Sequence, residues 1–296
     1  MLMSVAQCKR LDECTIYIYC DAAKVPTHQS AVDESRKVVA EFSAQLGAQI
    51  IRRDVNLGLA RSIVDGVTSL VQRYERVIVL EDDLIVSPDF LDYMLQSLDH
   101  FRDASQVYQI SGFCFPIQPR PTDDTFFLPL ATTWGWATWA RAWQAFDWDP
   151  PQVLNDLSDP SIRSRFDLDD SYPYTRMLQD RLGGRNDSWG ILWWYAIFKA
   201  GGLVLYPRES LVRNDGFDGS GIHSGNDKSV AQSLSKEVAS VSISTPLTFP
   251  ATIQINSDVW SSMKMFLRHQ QEQGSSTSVL RRVRTKLGNV LKGVRS

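Results

Sequence analysis

The sequence predicts an α/β domain, a mostly parallel sheet flanked by helices. Short continuous apolar runs bounded by turn signals recur along the chain, as buried parallel strands require. Stretches of helical periodicity lie between them. The balance of 43% hydrophobic and 22% charged residues over 296 positions is that of a globular protein with enough chain for a core.

In chain order, Leu2–Cys14 reads as a first helix. "TIYIYC" (Thr15–Cys20) is β-branched and aromatic and ends at Asp21, so it is the first expected strand. A helix follows over Val32–Leu46, then a strand over Ala48–Asp54. Leu59–Tyr74 is helical, with Ile63, Val64, Val67, Leu70 and Val71 on one stripe. Arg76–Leu80 is the next strand, and three carboxylates stand directly behind it. Ser87 is placed to cap a helix with Pro88 at its first position, and Phe90, Leu91, Met94, Leu98 and Phe101 form its apolar face. Val107–Ser111, Thr125–Leu130 and Gly202–Pro207 complete the strands, with an apolar helix opening after Asp187 and Ser188. The sequence divides into a main domain over 1–250, a C-terminal helix and linker over 251–275, and a basic tail over 276–296.

Net charge is -3, from 31 basic and 34 acidic residues, and nothing in that balance points to nucleic acid. After Gly274 there are six basic residues and no acid, among them Arg281, Arg282, Arg284 and Lys286. Val279, Leu280, Val283, Leu287, Val290, Leu291 and Val294 recur there at helical spacing. Such a basic amphipathic helix suits an anionic membrane surface. No apolar run reaches the ~18 residues of a membrane span. The start is too short and mixed for a signal peptide. Four cysteines without C-x-x-C or zinc spacing read as reduced thiols, which places the chain in the cytoplasm.

The chemistry concentrates in "VIVLEDDLIVSPDF" (Val77–Phe90). Glu81, Asp82 and Asp83 repel one another, and burying them is costly without compensation. At the carboxyl end of a strand, where α/β sheets bind ligands, such a cluster suits Mg²⁺ or Mn²⁺. Asp167, Asp169 and Asp170 lack the apolar flanks and read as a solvated loop.

With these residues the chain resembles the GT-A glycosyltransferases. It is most similar to bacterial family-2-like enzymes and to the N-acetylglucosaminyltransferase that begins complex N-glycan branching. "CDAAK" (Cys20–Lys24), "RRDVNLGLARSI" (Arg52–Ile63), "TTWGWATWARAW" (Thr132–Trp143), "NDSWGILWWYAIFKAGG" (Asn186–Gly202) and "NDGFDGSGIHS" (Asn214–Ser224) carry the resemblance over roughly Leu11 to Phe249. It implies a Rossmann-like GT-A fold and transfer, with inversion, of a hexosyl or N-acetylhexosaminyl group from a UDP-linked donor to a saccharide or lipid-linked saccharide. Asp83 would ligate Mn²⁺ or Mg²⁺, with His223 as a further ligand. Glu81 and Asp82 would face the ribose and donor sugar, Asp21 the nucleobase, and Arg61 the diphosphate. Trp136 stands for the tryptophans expected to line the sugar cleft, and Asp187 is the expected general base. GT-A domains begin with an apolar strand that has no counterpart here, so Thr15–Cys20 is expected to show an uncovered edge. A nucleotidylyltransferase on a similar fold, or a non-catalytic sugar-binding relative, are the other readings. The setting implied is bacterial surface-polysaccharide synthesis on the inner face of the cytoplasmic membrane.

Overall fold

The computed structural model describes residues 1–118, 120–216, 238 and 241–272. Strands form where the apolar runs predicted them: β1 (Tyr17–Cys20), β2 (Gln49–Arg52), β3 (Arg76–Val79), β5 (Val107–Ser111), β6 (Thr125–Leu128) and β8 (Leu203–Pro207). Three more are β4 (Leu84–Val86), β7 (Trp136–Trp139) and β9 (Val212–Asn214). The long helices are α2 (Gln29–Leu46), α3 (Gly58–Tyr74), α4 (Phe90–His100), α8 (Tyr174–Leu182) and α9 (Trp189–Ala200). Shorter ones are α1 (Leu2–Val5), α5 (Ala140–Trp143), α6 (Val153–Asp156) and α7 (Pro160–Phe166). A further helix, α10, spans 257–272.

The expected Leu2–Cys14 helix breaks after α1, because the segment docks instead on the stretch before α4. The Lys9 N–H donates to the Pro88 carbonyl (2.8 Å), the Lys9 ammonium meets Asp89 (2.5 Å), and Arg10 turns to φ 58°.

The main sheet has five strands in the order β3-β7-β5-β8-β6. It is mixed where a mostly parallel sheet was predicted. Only β5 and β8 pair in parallel, while β3–β7, β5–β7 and β6–β8 are antiparallel. The causes are β6, at one edge, and β7. "WATW" enters between β3 and β5 running opposite to both, and all four residues are buried. Trp136 is 0% exposed and stacks on Trp189 (centroids 5.3 Å apart) while Trp143 packs on Trp193 (4.9 Å). Each indole buries a large area and the group prefers offset contacts, so this cluster is the densest part of the core. Its polar atoms are mostly met: Trp193 Nε1 donates to Gln109 (2.7 Å), Trp143 Nε1 to Thr68 (3.0 Å) and Trp139 Nε1 to the Leu98 carbonyl (3.2 Å).

Two small sheets flank the main one. β1 and β2 pair in parallel, and β4 and β9 antiparallel. β1 pairs with β2 alone and β3 with β7 alone among the described residues, so each keeps one open edge. α10 joins the core through buried Val259, Met263 and Leu267.

Chain after the glycine-rich region returns along α4 and β6. Ser87 is not a helix cap: its hydroxyl donates to the Val241 carbonyl (2.7 Å), and α4 starts after Asp89. Asp89 accepts from the Ile243 N–H (3.0 Å), and Asp124 accepts from Thr248 N (3.1 Å), Thr248 Oγ1 (2.5 Å) and Ser244 Oγ (3.1 Å). Asp124 is 9% exposed, so these bonds form with little competition from water. Replacing Asp124 by Ala strands those donors and costs about 2–4 kcal/mol by urea unfolding. A change within about 0.5 kcal/mol would show that the segment does not depend on it.

Candidate functional site

β3 delivers its carboxyl end to a corner where four elements meet. Leu80 leaves the strand, Glu81–Asp83 form a turn, and β4 begins at Leu84. The turn is closed by the Leu84 N–H on the Glu81 carbonyl (3.3 Å). Because β4 pairs with β9, Leu84 lies opposite Asn214, and Asn214 is carried to Asp83. Its amide donates to Asp83 Oδ2 (3.1 Å), and the Asp215 N–H donates to the Asp83 carbonyl (2.8 Å). The Gly216 N–H then closes on Asn214 Oδ1 (2.7 Å). Any side chain at Gly216 would strike Asp83, since a Cβ there would stand 2.6 Å from Oδ2.

The electrostatics match this crowding. Burial, then the charges of Asp83 and Asp82, push the Glu81 carboxyl up to about 7. Burial also raises Asp83, against the Asn214 hydrogen bond and with help from Asp82 and Asp215. The nearby guanidinium, Arg213, is engaged with Asp215 (2.6 Å). Among the described residues no three of His, Cys, Asp and Glu converge to enclose a metal by themselves. One or two carboxylates with room for water and ligand oxygens is nevertheless the donor set that Mg²⁺ and Mn²⁺ accept. A cluster whose ionisation is opposed by burial and by its own neighbouring carboxylates suits such an ion.

The antiparallel entry of β7 places the residues before Trp136 beside these carboxylates. Gly135, at φ 60°, sits where a Cβ would come within 2.7 Å of Val212 and 3.3 Å of Leu80, so it touches both β9 and the end of β3. Its carbonyl accepts from the Gly112 N–H (2.7 Å), which ties in the end of β5. Trp134, one residue earlier, is partly exposed and edge-on to Phe113 (4.7 Å). Trp136 itself faces the core at 0% exposure, so the expectation that it lines a cleft is corrected: the tryptophan at this corner is Trp134. β7 offered no alternation to read, since all four of its residues are buried.

Asp187 lies on the exposed loop before α9. Capping is done by Ser188, whose Oγ accepts from the Ile191 N–H (3.4 Å), while Asn186 Oδ1 accepts from the Ser188 N–H (3.0 Å). Asp187 is therefore not the cap. Gly190 lets the first turn of α9 press on Thr133, where a Cβ would meet Cγ2 at 2.9 Å, so this loop adjoins the Trp134 corner. His223 and the tail 276–296 lie outside the described residues.

Asp21 is filled by the protein. Oδ1 accepts from Ala22 N and Leu57 N (both 2.9 Å), and Oδ2 from Asn56 Nδ2 (3.0 Å) and Gly58 N (2.9 Å). That uses the lone pairs of a carboxylate and joins β1 to the start of α3. The helix start expected to meet a diphosphate thus holds a protein carboxylate instead. Arg61, one turn on, lies over the Trp148 ring at 4.8 Å.

Two shallow surface depressions, one beside Asp147 and Lys199 and one beside Asp170 and Arg268, include none of the carboxylate-corner residues. No helix among the described residues is long and apolar enough to cross a membrane. No protein-family model and no curated protein matches this chain.

Glu81 gives a pH test in the absence of divalent cations. Its folded-state value lies above the unfolded one, so ionisation favours the unfolded chain and stability falls as pH rises from 4.5 toward 7. Glu81→Gln removes that loss. Its stability advantage should be smallest near pH 4 and reach about 3 kcal/mol by pH 8. Parallel pH profiles for the two proteins would show that Glu81 is not held in this environment.

Proposed function

We propose that this chain is a glycosyltransferase of GT-A type that moves a hexosyl or N-acetylhexosaminyl group from a UDP-linked donor to a saccharide acceptor with inversion. The observation that carries the reading is the carboxylate corner, with Glu81 raised to about 7 and Asp83 fixed by Asn214 at the end of β3. The family resemblance supplies the reaction class, and the corner supplies residues that suit it.

Asp83 would hold a Mn²⁺ or Mg²⁺ ion, with His223 as a second ligand. When bound, such an ion offsets the donor diphosphate and the charge that develops on the leaving nucleoside diphosphate. The Asn214 amide keeps Asp83 in one orientation. Glu81 and Asp82 would accept hydrogen bonds from ribose and sugar hydroxyls. Trp134 offers a partly exposed aromatic face of the kind on which sugar rings stack. Asp187, on the exposed loop ahead of the Ser188 cap, would take the proton of the attacking acceptor hydroxyl. Asp21 acts at one remove, by holding α3 against β1. The basic tail 276–296 would keep the enzyme on an anionic membrane, where lipid-linked acceptors reside.

The roles of Asp83 and Asp187 separate in one assay. Incubated with Mn²⁺, UDP-sugars and saccharide acceptors, the protein should release UDP and form a glycoside. Asp187→Asn should lower turnover by about 10²–10⁴-fold and leave donor binding by thermal shift unchanged. Asp83→Asn should lose both. Unchanged transfer in both variants would contradict the mechanism.

A further inference from the structure

Two arginines close on one tryptophan away from the carboxylate corner. Arg61 lies in the first turns of α3, Arg181 at the end of α8, and Trp148 in the loop after α5. Their guanidinium carbons stand 4.8 and 4.5 Å from the Trp148 ring centroid. Stacking uses the flat face of a guanidinium and leaves its in-plane N–H donors unspent. Neither guanidinium makes a hydrogen bond or ion pair with a described side chain or backbone group, and Arg181 Nε is buried without an acceptor.

Two of the carboxylates close in sequence to Arg181 and Trp148 have partners elsewhere. Asp180 pairs with Arg185 (2.6 Å), and Asp147 accepts from the Asp149 N–H (2.9 Å). Asp21, ahead of α3, is filled by four donors. A buried N–H donor without an acceptor is unfavourable, and a second cation against the same ring adds repulsion. An anion that accepts from both arginines removes both costs. A phosphate suits better than a carboxylate, because it presents oxygens in several directions and carries up to two charges.

We infer that Arg61, Trp148 and Arg181 form a phosphate-binding clamp that takes a phosphate or diphosphate group. The clamp shares no residue with the carboxylate corner; Arg61 is the residue for which the resemblance implies a diphosphate contact, while Trp148 and Arg181 are assigned here from their stacking. The group it takes occurs both in a nucleotide diphosphate and in a phosphorylated acceptor.

The test is a titration of the full-length protein, with EDTA present, followed through the Trp148 indole ¹H–¹⁵N signal assigned with Trp148→Phe. Inorganic pyrophosphate should shift that signal saturably at constant ionic strength. Arg61→Ala and Arg181→Ala should each weaken the binding about tenfold or more. Unchanged signals from the other indoles show that the variants are folded. Should an alanine variant not fold, the lysine variants carry the comparison, since lysine keeps the charge and loses the fork. The same shift with UDP identifies the nucleotide as the source, and a shift with a short prenyl diphosphate but not UDP identifies the acceptor. Absence of a saturable Trp148 shift with pyrophosphate, or equal affinity in parent and variants, overturns the inference. Because no metal is present, failure here leaves the carboxylate corner untouched.

Discussion

Trp136 is buried completely between β3 and β5, and that one packing choice fixes the geometry of the carboxylate corner. The indole is stacked against Trp189 and flanked by Trp143 and Trp193. β7, which carries it, runs antiparallel to both neighbours. The chain just before it, Trp134 and Gly135, is then delivered to the carboxyl ends of β3 and β5. Gly112 and Gly135 allow the backbones to touch there, and a methyl group at either would collide with Phe90 or Val212. Core packing and site construction are the same event at this corner.

The carboxylates add a constraint of opposite kind. Packing gathers them, and electrostatics resists the gathering. The β4–β9 pair holds Asp83 in place through Asn214, while Glu81 answers by giving up ionisation until pH approaches 7. Structure alone could have resolved the conflict with a lysine or arginine, yet Arg213 is spent on Asp215. In the proposed reading, a divalent ion arriving with a phosphorylated donor resolves it reversibly.

Much of this was legible in the residues, for identifiable reasons. Six strands announced themselves as apolar runs; β5, β6 and β8 are buried on both faces, while β1 and β2 are only partly buried and were marked by β-branched and aromatic residues. β4 and β9 have three residues each, too few for a period to register. β7 was hidden because its tryptophans suggested ligand contact, when alternate strand faces were both buried. Asp83 stood out through its apolar flanks. Its partner Asn214 did not, because 131 positions separate them and only the β4–β9 register brings them together. Asp21 was visible as a strand-end carboxylate, but its four donors come mainly from a loop 35 to 37 residues away. The mixed sheet follows from where β6 and β7 insert, a tertiary fact no local pattern encodes.

The account rests on the carboxylate corner being a divalent-cation site. Calorimetric titration of Mn²⁺ into the protein at pH 8 with UDP present measures this directly. One saturable site in the parent, lost in Asp83→Asn and weakened in Asn214→Ala, is the predicted result. Saturable binding that survives Asp83→Asn unchanged, or no saturable binding in the parent, would contradict it.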